Sequence, residues 1–289
     1  MDLLICGSAA SEAIPALFCK CPVCLSAREA QGKDMRSRVA YQLGESVRID
    51  FGPDILMHQF KYDLRLEKLR HLFITHSHRD HFYPQTLGYR SEGFSNVEAD
   101  NMLNLYGNAT VLKMLDDTLK HHKTDHAACR LNPVQLRGGQ PVEIPEEAMT
   151  VVPLPANHAL SEEAFIFAIK KKGGQILLGT DSAYFKEEAW ISLQGFMFNI
   201  VILDDTGCGR DLSVGGGHMG GKFVLDTVSR MKSEGMADER TVFVVNHFSH
   251  NGWMTHGELE KYFNPHGIQV AFDGMTLPVD FVGRCPLNL

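Results

Sequence analysis

Short apolar runs recur along the chain, and several of them end on a histidine or an aspartate. Residues 3–6 and 47–51 read as strands near the N-terminus, and Leu72-Phe73-Ile74 reads as a buried one. Later runs of the same kind are Thr150-Val151-Val152-Pro153-Leu154, Gln175-Ile176-Leu177-Leu178-Gly179 and Thr241-Val242-Phe243-Val244-Val245, with further strands expected at 200–203 and 270–272. Between Phe165-Ile166-Phe167-Ala168-Ile169 and Ile176-Leu177-Leu178 stands Lys171-Lys172-Gly173-Gly174, a hairpin signal in which the glycines supply positive φ. A helical period over 109–122 predicts an amphipathic helix, and a second helix is expected around 64–70. The stretch 84–108 lacks a clear period and is a candidate lid. Strand pairs interspersed with helices predict a layered α/β sandwich rather than a doubly wound parallel sheet.

The polar positions that close these runs carry the chemistry. Thr75-His76-Ser77-His78-Arg79-Asp80-His81 sets three imidazoles and a carboxylate within six positions, directly after a strand. Neutral imidazole and carboxylate are good ligands for a borderline divalent cation, and residues just past a strand end can converge where alternating mid-strand side chains cannot. His158, Asp181 and His247 each follow a later apolar run, so metal-type residues close four strands in all.

Composition narrows the reading. No Pro/Ser/Gly-rich linker or charge block divides the 289 residues, so one domain over 1–289 is expected, and 44% hydrophobic content is ample for a large core. The 28 basic and 35 acidic residues leave −7, the basic residues are dispersed, and the aromatics do not interleave with them, which disfavours a nucleic-acid partner. Met1-Asp2-Leu3-Leu4-Ile5 has an acidic residue where a signal peptide has basic ones and too short an apolar run for a membrane span, so a cytoplasmic location is expected.

Seven cysteines without an export signal do not suggest a disulfide framework. Cys19, Cys21 and Cys24 form C-x-C-x-x-C, a spacing that lets three thiolates turn inward around one tetrahedral zinc. His250 is the candidate fourth ligand, because Asn246-His247-Phe248-Ser249-His250 would let one loop serve two metals. Cys6, Cys129, Cys208 and Cys285 are scattered and read as small apolar residues. His121, His122 and His126 read as a solvated face beside Lys120 and Lys123, and His256 and His266 offer no partner in the sequence.

The H-x-H-x-D-H cluster resembles the signature of the metallo-beta-lactamase superfamily, which implies an αββα sandwich of two mixed sheets flanked by helices, with one or two metals at its edge. The cysteine knuckle, the Asn-His-Phe-Ser-His segment and the C-terminal Gly267-Ile268-Gln269-Val270-Ala271-Phe272-Asp273-Gly274-Met275 look most like the phosphodiesterase of the carbon-phosphorus lyase pathway, which opens cyclic ribose phosphates. By that resemblance His76, His78 and His158 hold one divalent metal, Asp80, His81 and His247 hold the other, and Asp181 bridges, with zinc, manganese or iron as the metal. The cysteines and His250 hold a structural zinc, Asp80 counts among the catalytic residues as well as the ligands, and Asp50 stands behind the metals.

His218, in Gly215-Gly216-Gly217-His218, matches the family's catalytic histidine and is expected to steady the phosphate and protonate the leaving alkoxide. The sequence departs from the family at Gly7-Ser8-Ala9-Ala10-Ser11, which has fewer glycines, and in the glycine-rich segment after Asp204. These differences bear on the substrate rather than on the metals. A small phosphodiester is the expected partner, without nucleic acid or membrane, and a homodimer is left open. Two other readings are a tRNA 3′-end endonuclease, whose basic arm is missing here, and a non-catalytic relative of the pyrroloquinoline-quinone biosynthesis type that binds an intermediate.

Overall fold

The computed structural model describes residues 2–210, 212 and 216–279; Gly215 and Cys285 lie outside the described residues. Six strands build most of the first sheet: β1 (Asp2–Gly7), β2 (Ala40–Leu43), β3 (Val47–Ile49), β4 (His71–Phe73), β5 (Leu103–Gly107) and β6 (Leu131–Gln135). The second sheet holds β7 (Val142–Ile144), β8 (Met149–Pro155), β9 (Phe165–Lys171), β10 (Gly174–Gly179), β11 (Ile200–Asp204), β12 (Val242–Asn246) and β13 (Ile268–Val270), and β14 (Met275–Pro278) returns to the first sheet beside β1. Each sheet is mixed and seven-stranded, in the orders β14-β1-β2-β3-β4-β5-β6 and β13-β12-β11-β10-β9-β8-β7. The αββα sandwich is therefore present. Helices α1 (Pro22–Ala30), α2 (Ile55–Tyr62), α3 (Ala109–His121), α4 (Glu187–Leu193), α5 (Gly221–Ser233) and α6 (His256–Phe263) flank the sheets, and among the described residues none is long and apolar enough to cross a membrane.

Strand direction explains why the site gathers where it does. β10, β11 and β12 are parallel, and β8 runs with them because it and β10 both pair antiparallel to β9. Their C-terminal ends share one edge of the second sheet. In the first sheet β3 and β4 are likewise parallel, so their ends also lie together. Phe73 of β4 meets Phe167 of β9 edge to face at 5.7 Å between the sheets, and Tyr41 of β2 donates to Thr180 Oγ1 while accepting from Asn246 Nδ2. These contacts hold the two strand-end edges in register, with the apolar faces packed between them.

Several sequence expectations need correction. The helix expected at 64–70 is a single 3₁₀ turn, Leu66–Lys68, and the α-helix lies earlier, at Ile55–Tyr62. Only Ile55 and His58 of α2 are buried, while Leu56, Met57 and Phe60 face outward, so the apolar period there is weak. Asp63 in the left-handed region closes α2, and Leu69 is already extended because β4 starts at His71. Within 84–108, where no period was visible, lie a 3₁₀ segment, Pro84–Arg90, and the interior strand β5. The strand expected at 270–272 sits two residues earlier, at Ile268–Val270, because Ala271 gives its carbonyl to buried Arg36. His256, expected to lack partners, is buried between Arg36 Nη2 at 2.8 Å and Glu260 Oε1 at 2.9 Å.

Candidate metal centre

Three of the residues at this edge leave their strands through left-handed backbone. Asp50 (φ 62°), Asp181 (φ 53°) and His247 (φ 68°) follow β3, β10 and β12 directly or by one residue. For non-glycine residues this costs on the order of 1–3 kcal/mol each, and it turns each side chain sharply out of the pleat toward the same space. The chain accepts strain where its polar side chains must converge.

The structure brings the expected residues into two groups whose ligand atoms lie within 4.8 Å of one another: His76, His78 and His158 in one, Asp80, His81, Asp181 and His247 in the other. Asp181 stands between them. Its Oδ1 is 3.3 Å from His247 Nε2 and 3.8 Å from His158 Nε2, while its Oδ2 contacts His81 Nε2 and lies 3.7 Å from His76 Nε2. Asp80 Oδ2 is 3.2 Å from the same His81 nitrogen.

Four of the imidazoles are pinned from behind by one ring nitrogen. His81 Nδ1 donates to Asp50 Oδ2 at 2.7 Å, and His76 Nδ1 donates at 3.0 Å to Thr75 Oγ1, which itself donates to Asp50. His158 Nδ1 donates to the Gly217 carbonyl at 2.9 Å, and His247 Nδ1 lies 2.7 Å from Thr206 Oγ1. The opposite nitrogens point inward, and Nε2 of His76, His81 and His247 are buried without a hydrogen-bond partner. Orphaned, pre-oriented nitrogens beside buried carboxylates are what a divalent cation would satisfy.

The electrostatics ask for the same thing. Burial, reinforced by His81, holds His76 well below the ordinary histidine range, which keeps it neutral as a ligand must be. Burial works against charge on Asp181 too, but His247 and His81 outweigh it and hold that carboxyl well below its usual range. At His247 burial is in turn outweighed by Asp181 and Asp204, and its pKa rises to about 10. The buried carboxylates thus demand compensating positive charge. Divalent cations meet that demand and would take the place of the imidazolium protons.

His218 sits at the mouth of this centre. Its Nδ1 is 3.1 Å from Asp204 Oδ2 and 3.4 Å from Asp181 Oδ1, and although burial opposes it, Asp204 raises its pKa. In front lies an open cleft of about 660 Å³, lined by Ser11, Arg79, Asp80, His158, His218 and Asn251 among others, a size suited to a small organic ligand.

The beta-lactamase superfamily domain matches residues 46–244, more than half of the chain, and takes in every strand end just described except that of β12, where His247 stands three residues beyond the match. The chain belongs to the beta-lactamase superfamily. A search among curated proteins found no match. Among solved structures, a diphosphatase of the PhnP family superposes with a TM-score of 0.72 at 21% identity, covering 96% of this chain and 97% of that one. Zn(2+)-bound PqqB from Methylobacterium extorquens gives 0.68 at 16%, covering 96% and 100%, and the short form of human tRNase Z gives 0.65 at 18%, covering 96% and 99%. At these identities the likeness is one of fold, and the superfamily is mostly one of metal-dependent hydrolases.

A second cluster stands apart from the superfamily match. Cys19, Cys21, Cys24 and His250 present ligand atoms within 4.8 Å of one another, with Nδ1 of His250 3.5 Å from the sulfur of Cys19 and 3.5 Å from that of Cys21. Tetrahedral zinc with Zn–S of 2.3 Å and Zn–N of 2.0 Å sets S and N about 3.5 Å apart. The donor set fits zinc. The Cys21 backbone N–H lowers the Cys19 thiol, burial pushes Cys24 up to about 12, and Cys21 caps the N-terminus of α1 by accepting from the Cys24 amide. The described cysteines form no disulfide. Cys6, Cys129 and Cys208 are buried, as expected of small apolar residues.

Apart from Asp50, sequence reading missed the residues that orient the clustered imidazoles. Asp204 is the most heavily used of them: its oxygens accept from the Asp181 and Met219 amides, from both N–H and O–H of Thr206, and from His218. Its place at the end of β11, like the other site residues, was the available signal. Thr75 and Thr206 carried none beyond their neighbours. Glu162, which takes the Ser77 amide and hydroxyl and so braces the loop between His76 and His78, was equally silent. Of the histidines set aside, His121 and His122 are exposed and His126 pairs with Asp116 at 3.0 Å.

Proposed function

We propose that this protein is a dinuclear metal-dependent phosphodiesterase acting on small phosphodiesters, cyclic ribose phosphates among them. One cation is assigned to His76, His78 and His158, the other to Asp80, His81 and His247, with Asp181 between, and a structural zinc to Cys19, Cys21, Cys24 and His250. The observation that carries this reading is the position of Asp181, whose two oxygens reach both groups of inward-facing imidazole nitrogens. Two cations so placed supply a water ionised at neutral pH and positive charge opposite the phosphoryl oxygens. The remaining work falls to the side chains. Asp50, Thr75 and Thr206 hold the imidazoles in their ligating orientation, and Asp204 holds His218 by Nδ1, leaving Nε2 to deliver a proton to the departing alkoxide.

A diphosphatase and a tRNase among the fold neighbours support phosphorus chemistry over lactam or thioester hydrolysis. The net charge of −7 favours a small substrate over a polynucleotide, and no second reading has an observation of its own. The test is a panel assay of the metal-loaded protein with a 2′,3′-cyclic nucleotide, bis(p-nitrophenyl) phosphate, a β-lactam, an acyl thioester and a precursor tRNA. Turnover of the phosphodiesters that vanishes on chelation is expected. Turnover of the lactam or thioester alone, or tight binding of a phosphodiester without hydrolysis, would overturn the proposal.

A further inference from the structure

The loop bearing His247 and His250 meets the N-terminal loop at one carboxylate. Glu12 Oε1 accepts from Ser249 Oγ at 2.5 Å and from Asn251 Nδ2 at 3.3 Å, and Nε2 of His250 stands 3.6 Å from the same oxygen. The other nitrogen of that imidazole faces Cys19 and Cys21. Glu12, Ser249 and Asn251 also line the cleft before the hydrolytic centre, and the Asn251 carbonyl accepts from Nη1 of Arg210, another lining residue. A half-buried carboxylate therefore touches the back of the knuckle and the wall of the cleft at once.

We propose that Glu12 is a positioning residue that couples the cysteine knuckle to the substrate-facing wall of the cleft. A cation held at Nδ1 of His250 leaves that ring's proton on Nε2, where it faces Glu12. The carboxylate is then held by the Ser249 and Asn251 donors and faces the His250 N–H at 3.6 Å, and it fixes Ser249, Asn251 and through Asn251 the Arg210 side chain. With the knuckle empty the proton is free to sit on Nδ1, an Nε2 lone pair faces the carboxylate, and this anchor of the wall is weakened. Occupancy of the knuckle thus strengthens ligand binding in the cleft, and by linkage a ligand in the cleft strengthens the knuckle. Glu12 touches none of the hydrolytic ligands by hydrogen bond or ion pair, so its effect falls on binding rather than on the bond-breaking step.

This inference rests on the phosphodiesterase reading only for the identity of the ligand, and the test separates the two. Knuckle affinity is read from the thiolate-to-cobalt absorption during Co²⁺ titration, and cleft affinity from calorimetry with thymidine 5′-monophosphate on protein with both hydrolytic metals retained. Glu12→Ala is expected to weaken each about tenfold, in line with the loss of a partner behind a metal ligand. Glu12→Gln keeps an acceptor for Ser249 and Asn251 but loses the charge facing His250, so it should weaken cobalt more than nucleotide. Cys19→Ser, which breaks the knuckle, should weaken the nucleotide less than Glu12→Ala does, and the double variant should bind it no more weakly than Glu12→Ala alone.

Cobalt affinity at the wild-type level in both Glu12 variants would overturn the coupling, as would additive losses in the double variant. If Glu12→Ala does not fold, the cobalt-to-nucleotide contrast in Glu12→Gln decides. Absence of phosphodiester turnover alongside coupled cobalt and nucleotide affinities would sink the phosphodiesterase reading and leave the coupling standing.

Discussion

Asp50 accepts the Nδ1 proton of His81 at 2.7 Å while its other oxygen takes the Thr75 amide at 2.9 Å. One fully buried carboxylate thereby sets the tautomer of a ligand and the course of the chain entering the histidine cluster. Asn at this position offers the ring a single acceptor without charge, and its amide group can turn a donor toward Nδ1. Asp50→Asn should lower affinity for the metal at His81 by ten- to a hundredfold, measured by competition with a chromogenic chelator. Affinity within twofold of wild type would show that Asp50 does not orient this ligand.

His218 touches the centre without belonging to either of the two groups assigned to a cation, and its Nδ1 is taken by Asp204 at 3.1 Å. His218→Ala should retain both metals by elemental analysis yet lose turnover of a phosphodiester by about a hundredfold, the ordinary scale for a lost general acid. The loss should shrink for an ester with a p-nitrophenolate leaving group, which departs without a proton. A near-normal kcat on an alkyl ester would remove His218 from the mechanism.

The clustering of these histidines and aspartates was legible in the sequence because they follow strand ends, where residue type and position are both visible. The knuckle was legible for a different reason: three cysteines within six residues announce themselves without any fold. What was not legible depends on contacts between distant segments. Glu12 meets Ser249 across 237 residues, and neither neighbourhood has a distinctive composition. The helix expected at 64–70 failed because α2 buries so little of its apolar surface, and β5 went unread within 84–108 because it is short and carries polar Asn104 at its second position. His256 was dismissed for want of a partner, yet its partner Arg36 comes from 220 residues away.

Gly52 lies where the first sheet passes beneath the histidine cluster. A Cβ there would stand 2.0 Å from the Asp80 carbonyl, closer than any side chain tolerates, and the neighbouring Phe51 amide is already bonded to the His81 carbonyl at 2.7 Å. Gly52→Ala must therefore push the Asp80-His81 segment away from Asp50. A loss of about 1–3 kcal/mol in stability is expected from the overpacking, together with weaker metal retention on dialysis. Thermal unfolding with and without chelator checks this: the metal-dependent part of Tm should shrink in the variant. An unchanged metal-dependent part would mean that the loop absorbs the methyl group without moving its ligands.

A pH dependence independent of the metals comes from a buried chain of hydrogen bonds under β1. Arg48 donates to His58 Nδ1 at 3.3 Å, which places the ring proton on Nε2, where it is donated to Ser37 Oγ at 2.9 Å, and Ser37 donates on to Asp273 Oδ2 at 2.6 Å. Protonating His58 would set two donors against each other at Nδ1. Burial and the Arg48 charge accordingly push its pKa down to about 2. In the unfolded chain the same ring takes up a proton near pH 6.5, so the unfolded state binds more protons at any pH between these values. Stability from this group is complete above about pH 6.5 and falls as the pH is lowered, by up to about 1.4 kcal/mol per unit. His58→Gln keeps an acceptor for Arg48 and a donor for Ser37 but cannot titrate. The variant should be the less stable at pH 7.5, and the gap should close progressively by about pH 5 in urea unfolding of chelated samples. Parallel stability profiles for the two proteins across that range would show that His58 is protonated in the folded state and that this hydrogen-bond chain does not hold it neutral.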